Sequence, residues 1–149
     1  MGLFGSFKKK PEKKTWMVYQ DMLGTKKMSV RVDTQYIDKD YKNTFYIKAS
    51  YCDSTTDDLP DRAFLESLAD LEEKALQEIN KTFGDNIVFL GTATFGGGSY
   101  IIFASDLDVR WEDYVSSQID KELIAGIYQN DHMGYYNQVL YPDHVRLAR

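Results

Sequence analysis

Cysteine is almost missing from this chain. Cys52 is the only one among 149 residues, which excludes an internal disulfide and a paired-thiol redox motif. A lone cysteine at the end of a strand reads as a small apolar residue before it reads as a nucleophile. Histidine is scarce as well. His132 and His144 are the only two, each with an aspartate beside it, Asp131 and Asp143. A zinc site needs three or four well-placed ligands, and acid–base work needs a geometry that sequence alone does not supply. There is no Gly-x-Ser-x-Gly elbow and no phosphate-binding loop. No run approaches the roughly 18 apolar residues of a membrane span. The N-terminus also lacks the apolar stretch and small-residue cleavage site of a signal peptide. These absences predict a cytoplasmic protein without catalytic residues, without a metal and without a cofactor.

What is present is an ordinary globular composition, 43% hydrophobic and 28% charged. The length fits one domain with a substantial core. Charge is unevenly placed. Residues 1–14 carry five lysines against Glu12, a net of +4; the chain totals −5, so the remainder carries −9. Residues 1–14 are expected to be a flexible basic tail, 15–143 the folded domain, and 144–149 a frayed terminus. Gly2 and Ser6 match an N-myristoylation pattern, and the lysines would add a second membrane signal. The simpler reading is a solvated basic linker, with weak membrane contact as the alternative.

The clearest stretch runs from Ile87 to Ala104. Two apolar arms flank Gly96, Gly97 and Gly98, which predicts a hairpin of central strands. Trp16 to Tyr19 and Met28 to Asp33 predict an earlier hairpin across Gly24. Thr44 to Tyr51 alternates, with Phe45, Ile47 and Ala49 on one side and Tyr46, Lys48 and Ser50 on the other. One face of the sheet is therefore expected to be wet or to meet a partner. Between Asp61 and Phe83, Phe64, Leu65, Leu68, Leu71, Ala75, Leu76, Ile79 and Phe83 form one helical stripe, closed by Gly84. Asp53, Asp57, Asp58 and Asp61 lack the spacing of a calcium loop and fit helix capping better. Trp111 to Ile119 has helical spacing, 122–129 reads as a sixth strand, and 131–140 as a short closing helix. The fold class is α+β: a ferredoxin-like β-α-β-β-α-β core, extended by the N-terminal hairpin and the C-terminal helix. Its mainly antiparallel sheet should carry both long helices on one face.

RNA-recognition domains share that element order, but the strand from Gly98 to Phe103 lacks their basic lead and aromatic triplet. The acidic body also opposes phosphate binding, so no nucleic-acid partner is expected.

Several residues together resemble a bacterial family known as domain of unknown function 695. They are Trp16-x-x-Tyr19, Val30-x-Val32-Asp33, Leu59-Pro60, Glu72-Glu73, the glycine-rich hairpin, and Tyr136-x-x-x-Leu140-Tyr141-Pro142. The resemblance spans residues 15–143 and implies a small α+β domain. It also implies a likeness to ferredoxin-like regulators that inhibit ribonuclease E. It brings no catalytic residues with it, so the regulatory link is an analogy of fold.

The leading expectation is a non-enzymatic interaction or regulatory module with a protein partner of basic surface. Its candidate surface is Asp106, Asp108, Glu112, Asp113, Asp120, Glu122 and Tyr128, with Asp131 nearby and Arg110 and Lys121 as the opposing charges. The alternatives are a small enzyme or ligand binder using the open sheet face, and a peripheral membrane protein held by its tail.

Overall fold

The structure is a computed structural model and describes residues 16–36, 40–51 and 57–148. The basic tail, Cys52 and Asp53 lie outside the described residues. The first hairpin joins β1 (Trp16–Leu23) to β2 (Lys26–Asp33) through Gly24, whose φ of 68° suits a two-residue turn. Then come β3 (Asn43–Ser50), helix α1 (Arg62–Phe83), β4 (Ile87–Phe95) and β5 (Gly98–Ser105). Helix α2 (Trp111–Gln118), β6 (Ile124–Tyr128) and a short helix α3 (Asp143–Arg146) complete the chain. The six strands form one antiparallel sheet in the order β1-β2-β4-β5-β3-β6, so β1 and β6 are its edges.

Helix α1 starts where Asp61 accepts the Phe64 amide at 2.9 Å, a cap of about 1 kcal/mol. It ends at Gly84, which takes a φ of 58° and donates to the Asn80 carbonyl. Asp57 and Asp58 lie beside Lys26 and Lys27. The stripe is buried in its second half, at Ala75 and Ile79, and at Leu68, whereas Leu65 is exposed. Ala75 and Ile79 join Phe45, Ile47, Ile101, Phe103, Trp111, Val115, Ile119 and Ala125 in a core between the sheet and both long helices. Trp111 stacks on Phe45 at 3.8 Å and meets Phe83 edge-on, which locks α2 against α1 and β3.

The expected glycine turn holds, with a division of labour. Gly96 and Gly97 take positive φ, but Gly98 does not. A Cβ at Gly98 would sit 2.6 Å from the Lys48 Cε, so this glycine makes room for a neighbouring side chain. In β4 the register slips between Phe89 and Gly91, a bulge after which the alternation shifts so that Ala93 shares a core with Val88 and Leu90.

That second core corrects the expectation of helices on one face only. The segment from Met133 to Tyr141 covers the other face over β1, β2 and β4. Met133, Tyr136, Leu140 and Tyr141 pack on Met28, Val30, Val32, Leu90 and Ala93. Its closing helix is a π-helical turn, Tyr136–Leu140. The Tyr136 hydroxyl donates to the Asp33 carbonyl at 2.7 Å, and that of Tyr19 to the Leu140 carbonyl at 2.8 Å. Residues 144–146, expected to be frayed, are helical. His144 contacts Asp21 at 2.7 Å, and Arg146 bonds the Tyr141 carbonyl. The sixth strand is shorter than expected. The Glu122 amide bonds the Asp120 carboxylate and the Leu123 amide bonds the Asp120 carbonyl, which holds that end in a turn. Among the described residues no helix is long and apolar enough to cross a membrane.

Candidate functional site

On the same face as the covering segment, tyrosines collect over β5, β3 and β6, where that segment contributes Tyr135. Alternation on β3 sends Tyr46 and Lys48 to this side, opposite Phe45 and Ile47. Tyr100 of β5 and Tyr128 of β6 join them. Tyr46 meets Tyr100 at 5.4 Å and Tyr128 at 5.7 Å, and Tyr128 stacks on Tyr135 at 5.5 Å. The Lys48 ammonium lies over the Tyr100 ring at 5.5 Å. Tyr46 needs Gly126 beneath it, because a Cβ there would fall 2.5 Å from its ring. Burial first, and then Tyr46, Tyr100 and Asp131, raise the Tyr128 hydroxyl above its ordinary pKa. Burial raises that of Tyr135 further, helped by Tyr128, Tyr100 and Tyr46. Both phenols therefore stay neutral hydrogen-bond donors across the physiological range.

Asp131 ties the approach to this patch. Its carboxylate accepts from the Thr44 hydroxyl and the Tyr135 amide, both at 2.8 Å. Around it Asn130, His132 and Met133 all take positive φ, at 55°, 50° and 65°. Such backbone is costly for residues with side chains, and the buried Met133 holds it in place.

On the helix side of β6, Asp108, Glu112 and Asp113 line a groove of about 310 Å³ whose other wall runs from Ala125 to Ile127. Trp111 also lines it. The indole is 2% exposed, and its N–H finds no acceptor among the described residues. Arg110 is bound to Asp113 at 3.0 Å.

The structure thus divides the acidic residues that the sequence grouped. Asp108, Glu112 and Asp113 share the groove. Tyr128 lies on β6, which walls that groove, with its ring on the opposite face of the sheet. Asp106 accepts the Lys42 amide at 2.6 Å, and Asp120 organises its own turn. Glu122 is exposed beside that turn. The histidines pair away from their sequence neighbours, His132 with Asp40 at 3.3 Å and His144 with Asp21. Among the described residues no three His, Cys, Asp or Glu side chains are placed to hold a metal. Sequence reasoning missed Tyr100, Tyr135, Trp111 and Gly126 as site residues. A glycine inside a strand was the available signal for Gly126.

A larger cavity of about 490 Å³ lies between the end of α1 and the start of β4. Its polar lining is Tyr41, Asn80, Gly84 and Asp85 against Leu76, Ile79 and Phe89. Among the described residues that lining offers one carboxylate, Asp85.

No family model matches this chain, and neither a curated protein nor a solved structure shows significant similarity to it.

Proposed function

We propose that this chain is a non-enzymatic protein-interaction or regulatory module whose acidic, tyrosine-rich surface along β6 receives a basic partner. One observation carries the reading. A single exposed edge strand has three carboxylates, Asp108, Glu112 and Asp113, on one side and the tyrosine patch of Tyr46, Tyr100, Tyr128 and Tyr135 on the other. Tyrosine offers a large contact area with a polar tip, and the carboxylates steer cations. The rings of the patch pack against one another as a broad contact surface, which favours this reading over an enzyme or ligand binder on the sheet face.

The stretch from β3 to β6 is a ferredoxin-like unit in this reading. Its element order β3-α1-β4-β5-α2-β6 and the strand order β6-β3-β5-β4 support that. Membership of the domain of unknown function 695 family rests on the motif residues alone. Their positions give them structural work: Tyr19 and Tyr136 clamp the C-terminal segment, and Glu72 pairs with Arg31. A regulatory role by likeness to the inhibitors of ribonuclease E remains analogy of fold.

The test is association of a partner recovered by pull-down, followed at low and high salt, with Glu112, Asp113 and Glu122 changed to Lys. Reversal is expected to slow association at least about tenfold at low salt and to flatten the salt dependence. Unchanged association by a folded variant would remove this surface from consideration.

A further inference from the structure

We infer that the free edge of β6 takes an extended, basic peptide segment as an added strand, its side chains alternating between the carboxylate groove and the tyrosine patch. This rests on the reading of the β6 surface as a protein-docking surface and states how a partner would sit there.

The edge is available. β6 pairs with β3, and no other described residue hydrogen-bonds its backbone. Edge strands are commonly protected by lysine, proline or a bulge. Ile124-Ala125-Gly126-Ile127-Tyr128 contains no lysine or proline, and its register with β3 is unbroken. Ile124 and Tyr128 are 49% and 42% exposed.

The two sides of the edge differ in chemistry, and a strand reads both sides at once. An added strand would lie about 4.8 Å from β6 and send successive side chains to opposite faces. Those on the helix side would meet Asp108, Glu112 and Asp113, which outnumber Arg110. Those on the other side would meet Ile124 and the Tyr128 ring, which accept aliphatic stems or a cation over the ring face. Trp111 lines the same groove, so its emission reports on whether the groove is occupied. The opposite edge, β1, is longer but exposes Trp16, Val18, Met22 and Leu23, with Asp21 tied to His144. Its exposed side chains are mainly apolar, so a basic segment has less reason to pair there.

The test uses the full chain with Trp16→Phe, which leaves Trp111 as the only tryptophan. The probe is a capped peptide of alternating lysine and valine, about the length of β6. Four further peptides and proteins decide between outcomes: a block isomer with the lysines and valines segregated, two versions N-methylated on alternate amides in opposite frames, and a Glu112→Lys, Asp113→Lys protein. Expected are a shift of Trp111 emission and slowed amide exchange within residues 124–128. The block isomer and one N-methylated frame should bind at least about tenfold more weakly, while the other frame binds like the parent. The charge-reversed protein should bind weakly throughout.

If both N-methylated frames bind equally while charge reversal still weakens binding, strand addition is wrong and the acidic docking surface stands. Binding indifferent to charge reversal would overturn both readings. Absence of binding by the alternating peptide overturns the strand-addition proposal.

Discussion

Tyr46 lies across Gly126, on the strand next to it, so closely that one added methyl group would fall 2.5 Å from its ring. This contact sets the height of the whole tyrosine patch, because Tyr46 in turn meets Tyr100 and Tyr128. Gly126→Ala should therefore push the tip of Tyr46 outward while the domain stays folded. The cost expected is about 1–3 kcal/mol from overpacking. Ring resonances of Tyr46, Tyr100 and Tyr128 should move together. Unmoved rings would show that Gly126 does not position the patch.

Tyr136 fastens the C-terminal segment to the sheet. Tyr136→Phe keeps the ring but removes the hydrogen bond from its hydroxyl to the Asp33 carbonyl. A loss of about 0.5–1.5 kcal/mol is expected in denaturant melts, the net worth of one hydrogen bond. A variant as stable as the parent would mean that the segment is held by apolar packing alone.

Tyr19 gives the fold an alkaline limit. Burial, with Asp21 second, raises its pKa from 10.0 to about 12. Its proton is held more tightly in the folded state, so its contribution is complete below pH 10 and is lost as pH rises towards 12. Stability measured against pH should fall across that window, and less steeply in Tyr19→Phe. Identical alkaline slopes for the two proteins would contradict the assignment.

The helix face can be tested at Ile79, which is 2% exposed between α1 and the sheet. Ile79→Asp places an unpaired charge there at a cost of several kcal/mol, comparable to the whole stability of a small domain. The protein should lose its cooperative melt. The same change at exposed Leu65 should cost little, and equal damage at both positions would refute the assigned orientation of α1.

Local periodicity explains what was legible beforehand. The glycine-rich hairpin, the early hairpin and the 62–83 helix each declare themselves within about twenty residues, and alternation on β3 already put Tyr46 and Lys48 on the wetter side. The coverage of the second face was not legible. It depends on bonds such as Tyr136 to Asp33 and Tyr19 to Leu140, over 100 residues apart in the chain, and on a π-helical turn without the spacing of an α-helix. The acidic surface was half legible. Charge counting cannot separate Asp106 and Asp120, which bond nearby amides, from Asp108, Glu112 and Asp113, which line a groove. That β6 lies at an edge follows only from the strand order, which no single segment encodes.

Hydrogen exchange of the backbone amides, with and without the partner recovered by pull-down, tests the central claim most directly. The account predicts slowed exchange within residues 124–128 and around Trp111, with the β1 edge unchanged. Protection confined to β1, or to the cavity at the end of α1, would contradict it.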